Sequence, residues 1–189
     1  MTTRAETAAA TRQALLRAAE ELLDRGGVEA VTLREVGGAA GLSRSAAYRH
    51  FADKDAMLTA ISFAGWEELT DRLHDIAARS VESPAAALRE AIGEFLALAR
   101  TRPGLYRLML TRAPFGDMAA EVGERSQDVF HTLVARVVPA GAARPFAGLI
   151  MAAAHGIADL EAGGQLDPRK YDADGDALID LLIATLPAR

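Results

Sequence analysis

Apolar residues recur every three to four positions along nearly the whole chain, and this spacing limits the possible folds more than any other feature. A period of 3.6 residues places apolar side chains on one face of a helix. The two-residue alternation of β-branched and aromatic side chains that is typical of strands is absent. Glycine and proline interrupt the pattern at intervals, as they do where helices end. We therefore predict an all-α protein of about nine helices.

Glycine pairs and capping residues mark where these helices end and begin. Gly26-Gly27 ends the first helix and Gly163-Gly164 the eighth, because glycine favours the conformation that terminates a helix. Thr32 opens a capping box before the second helix, while Ser43 and Asp53 are expected to cap the third and fourth. The predicted helices cover approximately residues 7–25, 33–41, 44–51, 54–79, 84–101, 103–110, 117–138, 144–162 and 172–186.

Composition and charge limit the compartment and the partners. The 189 residues include no cysteine, which excludes disulfides and thiolate metal sites and fits a reducing compartment. The N-terminal segment lacks the apolar core of a signal peptide, and no apolar run reaches the roughly 18–20 residues of a spanning helix. We expect a cytoplasmic protein with no membrane partner. The net charge is −5, but the first 51 residues carry seven arginines against six acidic residues, so this part is the one suited to phosphates.

Residues 32–51, TLREVGGAAGLSRSAAYRHF, predict two short helices joined by a tight turn at Gly41-Leu42. Glycine supplies the backbone freedom of the turn, and the small residues Gly37, Ala40 and Ala47 allow the helices to cross closely. This is the layout of a helix-turn-helix, in which the second helix enters the major groove of DNA. We predict a three-helix DNA-binding domain over residues 1–53 and a helical bundle over residues 54–189.

The polar residues of this segment suit contact with DNA. Arginine can bind guanine through two hydrogen bonds, tyrosine and histidine can donate to phosphate oxygens, and helix N-termini favour anions. The predicted DNA-contacting residues are Thr32, Arg34, Ser43, Arg44, Ser45, Tyr48, Arg49, His50 and Lys54. The alternative is that the arginines form a solvated helix face and that Tyr48 packs against its own domain.

From Leu15 to Ile61 the sequence closely resembles the DNA-binding domain of the TetR family of transcriptional regulators. The threonine cap, the glycine turn, Tyr-Arg-His-Phe and the following lysine are all in register. The resemblance implies phosphate contacts from Tyr48, His50 and Lys54 and base contacts from Arg34, Arg44 and Ser45. Two departures, Gly37-Gly38 and Ala47, stand where the family more often has larger side chains, which implies a looser recognition unit. Each glycine should cost roughly 0.8–1 kcal/mol of helix stability relative to alanine.

The same resemblance implies that the chain beyond residue 54 dimerises and senses a ligand. Small residues recur every four positions in the eighth predicted helix, so a partner helix can approach closely there, and the last helix is apolar. A second copy would complete a four-helix bundle on this surface. The predicted dimer residues are Gly148, Ala152, Gly156, Leu178, Leu182 and Leu186. The alternative is packing within the chain.

A ligand pocket is expected to be apolar with a few polar groups. Residues 103–109 and 155–161 resemble a C-terminal subtype of TetR regulators that usually has tryptophan where Met151 stands. The candidate pocket residues are Phe63, Trp66, Phe95, Tyr106, Met109, Phe115, Phe130, His131, Met151 and His155. The alternative for each is ordinary core packing, and His155 can also pair with Asp159 or lie at the dimer surface.

Other classes of protein fit the sequence less well. Asp71-x-x-His74 and Asp128-x-x-His131 have the spacing of di-metal carboxylate bundles, but those sites use glutamate and need two further carboxylates. No HExxH, GxSxG, Walker or GxGxxG motif occurs. We therefore predict no enzyme, metal or cofactor. A helical adaptor that binds only protein would not need the DNA-contacting residues in register.

Together these features predict a homodimeric transcriptional regulator, and a repressor in particular. Its partners are double-stranded DNA with an inverted-repeat operator, because two-fold protein symmetry requires two-fold DNA symmetry, and a small, largely apolar effector. The identity of the effector does not follow from the sequence.

Overall fold

A computed structural model describes residues 3–79, 83–111 and 117–187. Within these ranges the chain forms α-helices and no strand, which confirms the predicted all-α class. The helices are α1 Arg4–Ala30, α2 Leu33–Ala39, α3 Arg44–His50, α4 Lys54–Arg79, α5 Pro84–Thr101, α6 Pro103–Thr111, α7 Asp117–Ala135, α8 Ala143–Ala162, α9 Pro168–Tyr171 and α10 Gly175–Ala184. All nine predicted helices are present, and the single turn α9 is an addition. No helix in the described ranges is long and apolar enough to cross a membrane.

The first helix begins earlier than predicted. Thr3 and Glu6 form a capping box, in which Thr3 Oγ1 accepts the Glu6 N–H at 3.2 Å and the Glu6 carboxylate accepts the Thr3 N–H at 2.7 Å. The Thr-x-x-Glu spacing of this cap is the sequence signal for the earlier start. At the other end, Gly27 interrupts the helix with φ 67°, as the glycine pair predicts, before a further turn reaches Ala30.

The last helix begins later than predicted, so the expected start near residue 172 is wrong. Asp172 has φ 53°, a left-handed conformation that ends α9. Asp174 then caps α10, since its carboxylate accepts the Ala177 N–H at 2.9 Å. The predicted last helix therefore corresponds to α10 alone, and the single turn α9 precedes it.

The described residues form two compact units. The first unit contains residues 1–65 and 102–120, and the second contains residues 66–101 and 121–189. Helix α4 contributes to both units, and α6 groups with the helix-turn-helix. The predicted boundary at residue 53 separates a DNA-binding domain from a helical bundle, and it stays a prediction.

In the first unit, α6 packs closely against α1. The Asp24 carboxylate accepts the Gly104 N–H at 2.8 Å, and Arg102 forms an ion pair with Glu20 at 2.5 Å. A Cβ at residue 104 would lie 2.7 Å from the Leu23 carbonyl oxygen, so glycine is required for this close approach.

In the second unit, α5 packs against α8 and α10 through a cluster of charges. Arg100 donates two hydrogen bonds to Glu161, at 2.8 and 2.7 Å, and one to Asp176 at 2.8 Å. Arg89 donates to Asp180 at 2.9 Å and to Asp176 at 3.2 Å. The hydrogen bond to Glu161 is the largest cause that raises the pKa of Arg100, and the one to Asp180 has the same role for Arg89. We call these five residues the ionic clamp.

Candidate functional site

The turn between α2 and α3 is built as the sequence predicts. Gly41 has φ 67°, a left-handed conformation that glycine adopts at little cost. The Leu42 N–H donates to the Gly37 carbonyl at 2.9 Å, and the Gly41 N–H donates to the Gly38 carbonyl at 3.0 Å. These two bonds form a Schellman motif, which satisfies the last carbonyls of α2 and directs the chain into α3.

One face of α3 is buried against the rest of the first unit. Ala46, Ala47 and Phe51 are almost fully buried, as is Val36 on α2. The small size of the two alanines lets α3 approach α2 closely. The opposite face of α3 is therefore the one presented to solvent.

That solvent face carries the predicted DNA-contacting residues. Ser45 and Arg49 are exposed, and 56% of the Tyr48 surface is accessible. The exposure of Tyr48 argues against the alternative in which it packs within its domain. Arg44 is the first residue of α3, and its side chain lies outside the described part of the structure.

The helix N-termini around this face differ in whether a side chain caps them. Thr32 Oγ1 accepts the Glu35 N–H at 3.1 Å, which is one half of the predicted capping box, while the Glu35 carboxylate lies 3.9 Å from Arg34 Nε. Asp53 caps α4 as predicted, accepting the Ala56 N–H at 2.7 Å. Ser43 occupies the N-cap position of α3 but makes no side-chain capping bond, so its predicted cap is wrong.

The Ser43 hydroxyl is instead part of a polar chain along α3. Its Oγ lies 3.0 Å from Ser45 Oγ, and Arg49 Nη1 donates to the same Ser45 oxygen at 3.3 Å. The competing hydroxyl at residue 45 explains why Ser43 does not cap the helix. This chain holds Arg49 along the exposed face of α3.

The other predicted DNA-contacting residues lie at the start of α2, at the end of α3 and at the start of α4. Thr32 and Arg34 are exposed, and His50 is half-buried. Lys54 is also half-buried, and its Nζ lies 3.6 Å from the carboxylate of the exposed Glu29. An ion pair of this kind contributes little free energy, so it is readily exchanged for a phosphate.

Sequence reasoning missed one residue that supports this surface. The Arg12 guanidinium lies over the Phe51 ring, 5.3 Å from its centroid, and so joins α1 to the end of α3 by a cation–π contact. No local pattern in the sequence indicates this pair.

The candidate pocket residues are divided between the two units, and each group is described within its own unit. In the first unit, Tyr106 and Met109 are buried and Phe63 is half-buried. A Cβ at Gly65 would lie 2.8 Å from Met109 Sδ, so these residues are tightly packed. Phe115 lies outside the described residues.

In the second unit, three candidates come together. The Phe95 and His155 rings lie 4.6 Å apart, and His155 Nδ1 is 2.8 Å from the Met151 carbonyl oxygen. His155 therefore uses Nδ1 within its own helix.

The other pocket candidates of this unit are placed separately. Phe130 is buried, and His131 and Trp66 are half-buried. The indole nitrogen of Trp66 is buried and has no hydrogen-bond partner among the described residues.

The predicted dimer residues lie on α8 and on or just after α10. Gly148, Ala152 and Gly156 are exposed, and no described atom lies within 4 Å of a Cβ placed at either glycine. Leu178, Leu182 and Leu186 are half-buried. The same helices carry three leucines that sequence reasoning missed, Leu149, Leu160 and Leu181, which are 55%, 39% and 60% exposed.

The acid-x-x-His pairs are not assembled into a metal site in the described ranges, where no group of three or more suitable side chains is close enough to hold an ion. Asp71 lies instead 4.0 Å from Arg125, which joins α4 to α7.

Two family models match the chain. Residues 15–61 match the family described as bacterial regulatory proteins, tetR family. Residues 88–186, more than half of the chain, match the tetracyclin repressor-like C-terminal domain. The chain belongs to the TetR family. It is therefore a DNA-binding transcriptional regulator and not an enzyme, as predicted.

Solved structures share the fold along nearly the whole chain. A Rhodococcus sp. RHA1 protein with unknown function is 29% identical over 95% of this chain and 96% of its own, with a TM-score of 0.78. A TetR-family transcriptional regulator from Streptomyces coelicolor is 21% identical over 94% and 97%, with a TM-score of 0.67. The Bacillus subtilis regulator FadR in complex with stearoyl-CoA is 12% identical over 91% and 95%, with a TM-score of 0.70. No curated protein sequence matches the chain.

For this TetR-family regulator, substitutions at Thr32 and Ser43, the N-cap residues of α2 and α3, should affect the free energy of unfolding differently. Thr32→Ala removes a capping bond and should lower the free energy of unfolding by about 1 kcal/mol. Ser43→Ala removes no capping bond and should lower it by only a few tenths. Urea unfolding of both variants at one protein concentration tests this. An equal loss in the two variants would contradict the assignment of the caps.

Proposed function

We propose that this regulator is a homodimeric repressor that binds an inverted-repeat operator and leaves it when a small effector binds. The observation that carries the proposal is the exposed face of α3, where Ser45, Tyr48 and Arg49 project beside one another while Ala46 and Ala47 are buried behind them. A short helix presented in this way is suited to the major groove.

The residues around α3 divide by chemistry into two groups. The hydroxyl of the exposed Tyr48, the imidazole of His50 and the ammonium of Lys54 suit phosphate oxygens, which fix the register on DNA. Lys54 is also the first residue of α4, where unpaired N–H groups favour an anion. Arg34, Arg44 and Ser45 are the proposed base readers, since arginine and serine can reach base edges in the major groove.

The apolar surface of α8 and α10 supports the homodimer. Leu149, Leu160 and Leu181 are exposed beside the small residues Gly148 and Gly156. Exposed leucines next to residues that allow close helix approach are typical of a helix–helix interface. An interface shared by two identical copies has two-fold symmetry, so the operator is an inverted repeat whose half-sites are about one helical turn or more apart.

The effector is proposed to be largely apolar. The contact of Phe95 with His155 and the buried indole nitrogen of Trp66 provide aromatic surface with polar groups, the usual composition of a ligand site. A structural relative, FadR, was solved with stearoyl-CoA. Three residues separate the end of α3 from the start of α4, and α4 continues into the second unit. A ligand that shifts α4 therefore alters the position of α3. Release requires the effector to prefer the conformation that does not fit DNA.

Selection of bound duplexes from a random pool tests the proposal. The wild-type chain is expected to enrich an inverted repeat at near-physiological salt. Enrichment of a single unrepeated site would contradict the symmetric operator, and no enrichment by folded protein would contradict sequence-specific binding without a co-ligand.

Two variants then separate base contacts from phosphate contacts on the selected operator. Arg44→Ala should cost about 1–3 kcal/mol on the operator and much less on random duplex. Lys54→Ala should weaken both duplexes similarly and reduce the slope of log affinity against log salt by about one. Fluorescence anisotropy over a salt series measures both effects. If Arg44→Ala weakens operator and random duplex equally, Arg44 does not read a base.

The proposed dimer surface predicts the effect of a large side chain at Gly156, one of the small residues of α8. Gly156→Leu should place a bulky group in the closest part of the interface and raise the dimer dissociation constant, as sedimentation velocity measures. Gly123→Leu on α7 is the matched control, because its Cβ also meets no described atom within 4 Å but lies on a different helix. An intact dimer in Gly156→Leu would place the interface elsewhere.

A further inference from the structure

Helix α10 is weakly anchored by apolar contacts within its own chain. It has ten residues, and only Gly175 and Ile179 are buried in the described structure. Leu181 is 60% exposed on the same helix. A short helix that buries so little needs other interactions to hold it in place, because isolated helices of this length are marginal in water.

The ionic clamp supplies those interactions. Arg100 holds Glu161, in the last turn of α8, through two parallel hydrogen bonds, and holds Asp176, in the first turn of α10, through a third. Arg89 binds Asp176 from the other side and reaches one turn further to Asp180. Two arginines of α5 thereby join the end of α8 to the beginning and middle of α10.

The geometry of the clamp is specific. The fork of Arg100 matches the carboxylate of Glu161 at 2.8 and 2.7 Å, an arrangement that fixes direction as well as distance. The absence of a side chain at Gly175 leaves room for the Glu161 carboxylate, which a Cβ there would force to move. The side chains of the clamp are between 22% and 59% exposed, so salt in the solvent can screen their ion pairs.

The clamp and the apolar surface lie on the same two helices. Glu161 follows Leu160 of the surface on α8, and Asp180 precedes Leu181 of the surface on α10. The charged residues face α5 while these leucines face solvent. The clamp therefore links α8 to α10 beside this apolar surface, in addition to the apolar packing of Ile179.

We infer that Arg89 and Arg100 are positioning residues for dimerisation, which align α10 with α8 so that both helices meet a second copy. The inference rests on the homodimer of the proposed function. It makes the dimer sensitive to salt, because screening weakens the charges that align α10, whereas an apolar interface alone does not weaken in this way. Operator binding then loses affinity with salt both through phosphate contacts and through the dimer.

The test compares two arginines that differ only in what they hold. Arg100→Met removes the side chain that binds both Glu161 and Asp176. Arg72→Met is the matched control, since Arg72 also donates to two carboxylates, Glu68 at 2.7 Å and Glu94 at 2.8 Å, but these lie on α4 and α5. The dimer dissociation constant of each full-length chain is measured by sedimentation equilibrium over a NaCl series without DNA.

We expect Arg100→Met to raise the dissociation constant about tenfold or more at low salt and to flatten its increase with salt. Arg72→Met should keep the wild-type constant and slope. Amide exchange should become faster over residues 175–184 in Arg100→Met only, an effect that general destabilisation does not confine to α10. Glu161→Gln, which keeps the size of the side chain and removes its charge, should give the same changes if Arg100→Met folds poorly.

Each result decides a different point. A wild-type dimer that Arg100→Met and Glu161→Gln leave unchanged overturns the inference alone. Equal weakening by Arg72→Met and Arg100→Met also overturns it, because the effect would then be general. A wild-type chain that stays monomeric at all concentrations overturns the homodimer of the proposed function, and the inference with it.

Discussion

The Asp24 carboxylate joins the first turn of α6 to α1, within the unit that contains the helix-turn-helix. The first N–H groups of a helix have no partner within it, and a carboxylate there satisfies them and complements the helix dipole. Asp24 accepts the N–H groups of Gly104 at 2.8 Å and Leu105 at 3.4 Å. Because α1 supplies this carboxylate, α6 packs with the helix-turn-helix, although the family model of the C-terminal domain covers its residues. The boundary between units therefore follows packing rather than chain order.

Local signals made the helices predictable, and the errors also have local causes. Thr32, Gly41 and Asp53 act as their residue types indicate, because a cap or a left-handed turn involves neighbours within a few positions. Ser43 does not, because a second hydroxyl two residues away competes for its side chain. The last helix was predicted to begin at about Asp172, but its cap is Asp174, and the left-handed conformation of Asp172 shows only in the backbone.

The candidate site was predictable where one helix determines it and not where distant segments meet. The alternation of small apolar and polar residues along α3 indicates which face is outward. Arg100 and Glu161 are separated by 61 positions, and Gly104 and Asp24 by 80. Nothing in the neighbourhood of either partner identifies the other, because an arginine and a carboxylate on helix surfaces are ordinarily solvated. Such pairs follow only from the tertiary arrangement.

Helix α10 combines the buried Ile179 with two carboxylates that bind α5 and a leucine that stays exposed. A surface helix normally turns its apolar side to the core and its charges to water. Here Asp176 and Asp180 face the arginines of α5, while Leu181 faces solvent. The carboxylates bound to α5 help to hold the helix in place while Leu181 stays exposed. The side of α10 that carries Leu181 stays available for a second copy, which is what the proposed homodimer requires.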